Sequence, residues 1–148
     1  MSLQERVTQE IKTAMLAKDA DRLSTLRLLK SAFGYAQIER KSESLTDTEV
    51  VAIVQKEVKK RRDSVEQFEK GGRAELAAKE KQEITVLESF LPQAMSAEDL
   101  EKLVRATIQE LGATSKKDMG PVIKAVQAKA AGRADGKTVS SLVGKLLP

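Results

Sequence analysis

Residues 46–72 read TDTEVVAIVQKEVKKRRDSVEQFEKGG. Thr46 precedes Glu49 by three residues, the spacing at which a hydroxyl and a carboxylate each reach the other's backbone N–H and cap a helix start. Val50, Val54, Val58, Arg61, Val65 and Phe68 then recur at steps of three and four, which puts them on one face of a helix. Gly71-Gly72 supplies a left-handed C-cap, since only glycine reaches positive φ without steric cost. A helix of about 24 residues is roughly 36 Å long at the α-helical rise. The stretch therefore predicts one long amphipathic helix, and nothing around it reads as a strand.

Working outward, the return segment carries Leu76, Glu80, Ile84, Leu87 and Leu91 in register and stops before Pro92, which makes a long helical hairpin. Upstream, Leu3, Val7, Ile11 and Ala14 line one helix, and Leu23, Leu26, Leu29, Phe33 and Ala36 line another. The acidic run DAD at 19–21 caps the second, and the polar KSES at 41–44 ends it. After Pro92 the helices shorten. Ser96 with Asp99, and Ser115 with Asp118, repeat the capping spacing. Three helices are predicted there: 97–111 with Leu100, Leu103, Val104 and Leu111; about 116–130 with Met119, Val122, Ile123 and Val126; and about 136–147 with Val139, Leu142, Val143 and Leu146. Pro121 is tolerated if it lies in the first turn of its helix. The expected architecture is all-α, with an N-terminal helical subdomain over 1–93 and a C-terminal three-helix subdomain over 94–148.

Composition agrees and narrows the function classes. The 148 residues are 41% hydrophobic and 32% charged, with three prolines and eight glycines, which is a folded, helix-rich balance. Aromatics are confined to Phe33, Tyr35, Phe68 and Phe90, so the core is aliphatic. Absence of Cys and His removes thiolate and imidazole metal sites, disulfides, cysteine nucleophiles and the usual general base. The reading is accordingly no metal and no cofactor. The first residues show neither a signal core nor an Arg-rich transit pattern, and no apolar run is long enough for a membrane. No membrane partner is expected, and cytoplasmic location is the default. Net charge is +4, and the excess lies mostly after Pro92, a modest electrostatic footprint for a polyanion.

Residues 131–138, AGRADGKT, end in the Gly-Lys-Thr of nucleotide-binding loops. Such a loop must follow a buried strand and open a helix on a sheet. Here the preceding PVIKAVQAKA has helical period and only ten residues follow Thr138. The segment reads instead as a helix-to-helix turn: Gly132 ends one helix and Asp135 caps the next. The amino end of that last helix, flanked by Arg133 and Lys137, is a place where an external phosphate could dock. The densest cationic run, KEVKKRR at 56–62, has Glu57, Asp63, Glu66 and Glu69 within one or two turns and reads as a solvated face laced with weak pairs. Arg61 falls on the apolar stripe and is expected to pair with Glu80 or Glu83. No acid/base constellation stands out among the carboxylates, so no catalytic residue is assigned.

Several stretches taken together resemble one family: LRLLKSA at 26–32, KKRRDSVEQFEKGGRAELAAKE at 59–80, ESFLPQ at 88–93 with Met95-Ser96, GATSKKDMG at 112–120, and GRADGKTVSSLV at 132–143. In this order and spacing the chain resembles the YqeY family over nearly its whole length. The C-terminal half of that family is similar to the tail domain of the B subunit of the tRNA-dependent amidotransferase, and a YqeY-like domain is appended to some glutaminyl-tRNA synthetases. The resemblance implies tRNA as a partner, with Gly120, Val122 and Ile123, and then Gly132, Arg133, Ala134 and Asp135, on the tRNA-facing part. It also implies an amidotransferase or aminoacyl-tRNA synthetase as a protein partner. The amidase serine and lysine machinery and the ATP domain of the amidotransferase have no counterpart here.

The expected function is therefore a non-catalytic tRNA-binding or tRNA-metabolism accessory protein, with Lys124, Lys129, Arg133, Lys137, Gly132 and Gly120 as RNA-binding candidates. The alternative is a protein-interaction module docking on such an enzyme through the 47–91 hairpin. A family label of carbon-nitrogen ligase with glutamine as amido-N-donor would describe a partner's chemistry.

Overall fold

The structure, a computed structural model, describes Met1–Pro148. It is all-helical: α1 (Leu3–Leu16), α2 (Ala20–Arg40), α3 (Asp47–Lys70), α4 (Ala74–Glu88), α5 (Ala97–Leu111), a 3-10 turn (Lys116–Asp118), α6 (Met119–Ala130) and α7 (Gly136–Leu146). There are no strands. The chain divides into two compact units, Met1–Leu91 and Pro92–Pro148.

In the first unit α3 and α4 form the long hairpin. Thr46 and Glu49 close their reciprocal capping box at the start of α3. At its other end Gly72 holds φ +72°, a left-handed conformation that costs a residue with a Cβ roughly 1–2 kcal/mol. The core gathers Val7 and Ile11 from α1, Leu26, Leu29 and Phe33 from α2, Val50, Val54 and Val58 from α3, and Ile84 and Leu87 from α4. Phe90 and Leu45 add to it from the segments between helices. The guanidinium of Arg6 covers the Phe90 ring at 5.0 Å and donates to the Ser89 carbonyl at 2.9 Å, which fixes the end of the hairpin to α1. Ser2 and Glu5 form a further capping box.

Arg61 lies on the inner side of the hairpin and is only 12% exposed. Its Nε donates to Glu83 Oε2 across the helix pair at 3.0 Å, and its Nη1 donates to the Glu57 carbonyl at 3.2 Å. The choice left open by the sequence, Glu80 or Glu83, is decided by distance for Glu83. Glu80 stays nearby without a hydrogen bond, and its pKa is raised, chiefly by burial and then by the Glu83 carboxylate, against the opposing pull of Arg61 and Lys79. In the cationic run, Lys60 pairs with Glu57 and Arg62 with Glu88, so one of these partners comes from the same helix and one from across the hairpin.

The second unit is a three-helix bundle around Leu100, Val104, Val122, Val126, Val139, Val143 and Leu147. Gly136, Ser140 and Gly144 recur every four residues on α7. A Cβ on Gly136 would stand 3.0 Å from Gln127, and one on Gly144 would stand 3.5 Å from Met119. Small residues thus let α7 lie close against α6, with the start of each beside the end of the other. Pro121 sits in the first turn of α6, where its missing N–H costs nothing.

Three local expectations are corrected. Leu111, expected on the inner face of its helix, is half exposed, because α5 ends there and Gly112 turns the chain away at φ +64°. Ser96 caps α5 by accepting from the Asp99 N–H at 3.1 Å, but Asp99 does not make the reciprocal bond that Asp118 makes to the Ser115 N–H. The helix before AGRADGKT ends at Ala130, one residue earlier than the Gly132 reading needs. Ala131 is its left-handed cap at φ +49°, and Gly132 continues the turn at φ +86°.

Candidate functional site

The sequence-derived RNA candidates all fall in the second unit, on α6, on α7 or on the turn between them. Lys124 lies two residues from both Val122 and Val126, and Lys137 two residues before Val139. At about 100° per residue each is carried to the side of its helix opposite the core, and both are exposed. Neither makes an ion pair within the chain. Lys129 is also exposed but forms an ion pair with Glu110 of α5, so part of its charge is answered internally.

Arg133 has a structural task besides any external one. Its Nε donates to the Gln93 carbonyl at 2.9 Å, and its own carbonyl accepts from the Met95 N–H at 2.8 Å. The residue thereby straps the segment 93–95 onto the α6–α7 turn. Gly132 supplies that turn with positive φ, and Gly120 is exposed in the first turn of α6. Val122, which the resemblance puts on the tRNA-facing part, is fully buried. Its role is in the core, and Ile123 packs half-buried against the same cluster.

The amino end of α7 is occupied by its own cap. Asp135 accepts from the Thr138 N–H through Oδ1 and from the Thr138 hydroxyl through Oδ2, both at 2.8 Å. A carboxylate already satisfies the helix dipole there. An incoming phosphate would therefore meet the Lys137 side chain more than the free amides, which narrows the phosphate idea raised by AGRADGKT.

The structure adds cations that the sequence reading did not single out. Lys116 and Lys117 stand exposed before α6, and Lys145 stands exposed near the end of α7. None of the three makes an ion pair within the chain. From residue 112 onward there are seven basic and two acidic side chains, and both acids are engaged as caps: Asp135 as above, and Asp118 by accepting from the Thr114 and Ser115 N–H groups. A tally of charge by helix instead of by half-chain would have found these lysines. By contrast α5 answers its own cations, with Lys102 on Glu98 and Arg105 on Glu101.

No group of three or more Asp or Glu side chains is placed to hold a metal. No helix is long and apolar enough to cross a membrane.

Comparison with known proteins now decides the family. The family model described as Yqey-like protein matches residues 4–147. The chain belongs to the YqeY family. Among curated relatives, an uncharacterized protein of Schizosaccharomyces pombe is 35% identical over 95 residues, which are 64% of this chain and 76% of that protein. Proteins named altered inheritance of mitochondria protein 41, mitochondrial, are similar as well. The one from Eremothecium gossypii is 35% identical over 109 residues, 72% of this chain and 59% of its own length. The one from Kluyveromyces lactis is 32% identical over 131 residues, 88% of this chain and 68% of its own length. This YqeY chain thus spans from about three fifths to three quarters of these relatives, and two of the three carry a mitochondrial name.

Proposed function

We propose that this protein is a non-catalytic accessory factor of RNA metabolism whose C-terminal unit docks on the phosphate backbone of a structured RNA. The observation that carries the proposal is the charge segregation after residue 112. Lys116, Lys117, Lys124, Lys137 and Lys145 are exposed and without ion pairs, while the only two acids of that stretch are spent on helix caps. Lysines presented this way neutralise phosphates and release counterions, a source of affinity that carries no base specificity.

The second unit contains no Phe, Tyr or Trp, so it offers no platform on which single-stranded bases could stack. Shape and phosphate spacing are what it can read, and those belong to folded RNA. Transfer RNA is the candidate supplied by the resemblance of the GRADGK turn to the amidotransferase tail. Lys124 and Lys137 are the primary contacts. Lys129 and Arg133 contribute less, since Glu110 and the Gln93 carbonyl already engage them.

The experiment is a binding titration of the intact protein against bulk tRNA and against a single-stranded homopolymer at low salt. Tighter binding to tRNA, weakening as salt rises, is expected. Absence of tRNA binding at low salt, or a preference for the homopolymer, overturns the proposal. On the outer surface of the α3–α4 hairpin Arg62 pairs with Glu88 and Lys81 with Glu69, while Lys56 and Lys59 are exposed and make no ion pair.

A further inference from the structure

The outer face of α2 has no partner within the first unit. The helix turns Leu26, Leu29 and Phe33 into the core, yet its opposite side carries Leu28, 51% exposed, and Tyr35 and Ile38, each 76% exposed. Between them lie Ala20, Ser24 and Ser31, with Arg27 as the one charge. A helix apolar on both sides is the pattern of a buried helix. Gly34 adds a second, independent sign. It stands mid-helix, where glycine costs about 1 kcal/mol relative to alanine, and nothing lies within 4 Å of the place its Cβ would take. No close approach inside the chain accounts for it.

The edges of this face differ in sign. At about 100° per residue, Arg27, Lys30 and Lys41 fall on one flank, together with Gly34. Asp21 and Glu39 fall on the other, together with Leu28 and Tyr35. None of the five charged side chains makes an ion pair within the chain, and all are exposed.

We propose that the occupant of this face is a second copy of the chain, docked about a two-fold axis parallel to α2 so that the two α2 helices run in the same direction. That operation lays the cationic flank of each helix against the anionic flank of the other. Glu39 then falls within about two residues' rise, roughly 3 Å, of Lys41 in the second copy. Tyr35 covers the bare backbone at Gly34 of the second copy, and Leu28 packs on the aliphatic stems of Arg27 and Lys30. The antiparallel alternative lays like on like: Lys30 against Lys30 and Asp21 against Glu39. Repulsion of like charges excludes that register. A single helix face is smaller than the roughly 800 Å² per partner of a standard interface, so association in the micromolar range is expected.

The chain has no cysteine, which makes single-cysteine variants clean reporters. Sedimentation equilibrium of the intact protein from ~1 to ~200 µM should show the 16.2 kDa mass doubling with concentration. Tyr35→Glu and Ile38→Glu should hold it at the monomer mass while circular dichroism shows unchanged helix content. Ser24→Cys and Ile38→Cys, each alone, should yield disulfide-linked dimers under mild oxidation. A monomer at every concentration overturns the proposal. So does cross-linking only when the two variants are mixed, which is the signature of the antiparallel pair.

Discussion

Replacing Arg61 by methionine removes the largely buried guanidinium that lies among Glu57, Glu80 and Glu83. Arg61 is 12% exposed, Glu57 16% and Glu83 19%, so this is far from a surface pair worth about 0–1 kcal/mol. Breaking a fully buried pair costs about 3–5 kcal/mol, because a charge is left without its partner. Residual water access at these exposures sets the Arg61→Met penalty between the two, at about 2–3 kcal/mol. Two further effects act in the same direction: the Glu57 carbonyl loses its side-chain donor, and Glu80 loses one of the two cations that oppose its raised pKa. For a unit of this size the loss corresponds to a fall in melting temperature of roughly 10–20 °C, read by far-ultraviolet circular dichroism and by urea titration. The double variant Arg61→Met with Glu83→Leu removes the orphaned carboxylate too and should return to within about 1 kcal/mol of the parent. An Arg61→Met penalty below about 0.5 kcal/mol, or a double variant that costs the sum of the singles, would refute the reasoning.

Other expected outcomes are smaller. Glu80 has a folded-state pKa above its unfolded value, so folding takes up a proton between the two, and the cost of keeping this side chain charged applies above the folded pKa. Glu80→Gln should therefore be more stable than the parent at pH 7 and no more stable below about pH 4, as shown by urea melts at the two pH values. Gly72→Ala forces a Cβ into φ +72° and should cost about 1 kcal/mol, visible as a lower urea midpoint with unchanged slope. Asp135→Ala deletes the cap of α7 and should cost about 1 kcal/mol, with hydrogen exchange accelerating first at the Thr138 amide.

How far sequence led can be traced through individual residues. The all-α class was legible because Val58, Arg61, Val65 and Phe68, or Val139, Leu142, Val143 and Leu146, recur at mixed steps of three and four, which strict alternation along a strand cannot satisfy, and Val58, Val139 and Val143 are buried. Periodicity identifies a face but not how far a neighbouring element extends to cover it. That is why Leu111, in register with Leu100, Val104 and Thr107, ends half exposed, and why Tyr35 and Ile38 are bare. The Glu83 partner of Arg61 depended on the rotation of α4 against α3, which one helix's pattern does not contain. At the candidate site, residue types were readable and their engagement was not. Lys129 and Arg133 look like free cations in one dimension, yet Glu110 and the Gln93 carbonyl reach them only in the folded bundle. Val122 was misplaced for the same reason, since a motif match carries position and not orientation. Lys116, Lys117 and Lys145 are legible as a basic excess when charge is tallied by helix, but that they have no internal partner is visible only in the folded bundle.

The salt dependence of tRNA binding tests the central claim most directly. Log affinity against log salt should be measured for the parent, for Lys124→Gln with Lys137→Gln, and for a control with Lys102→Gln and Arg105→Gln, whose charges already pair with Glu98 and Glu101. The account predicts a slope shallower by roughly 1.5–2 in the first variant, since each of the two lysines neutralises one phosphate, and little change in the control. Equal slopes in all three proteins, or the same flattening in the control, would contradict it.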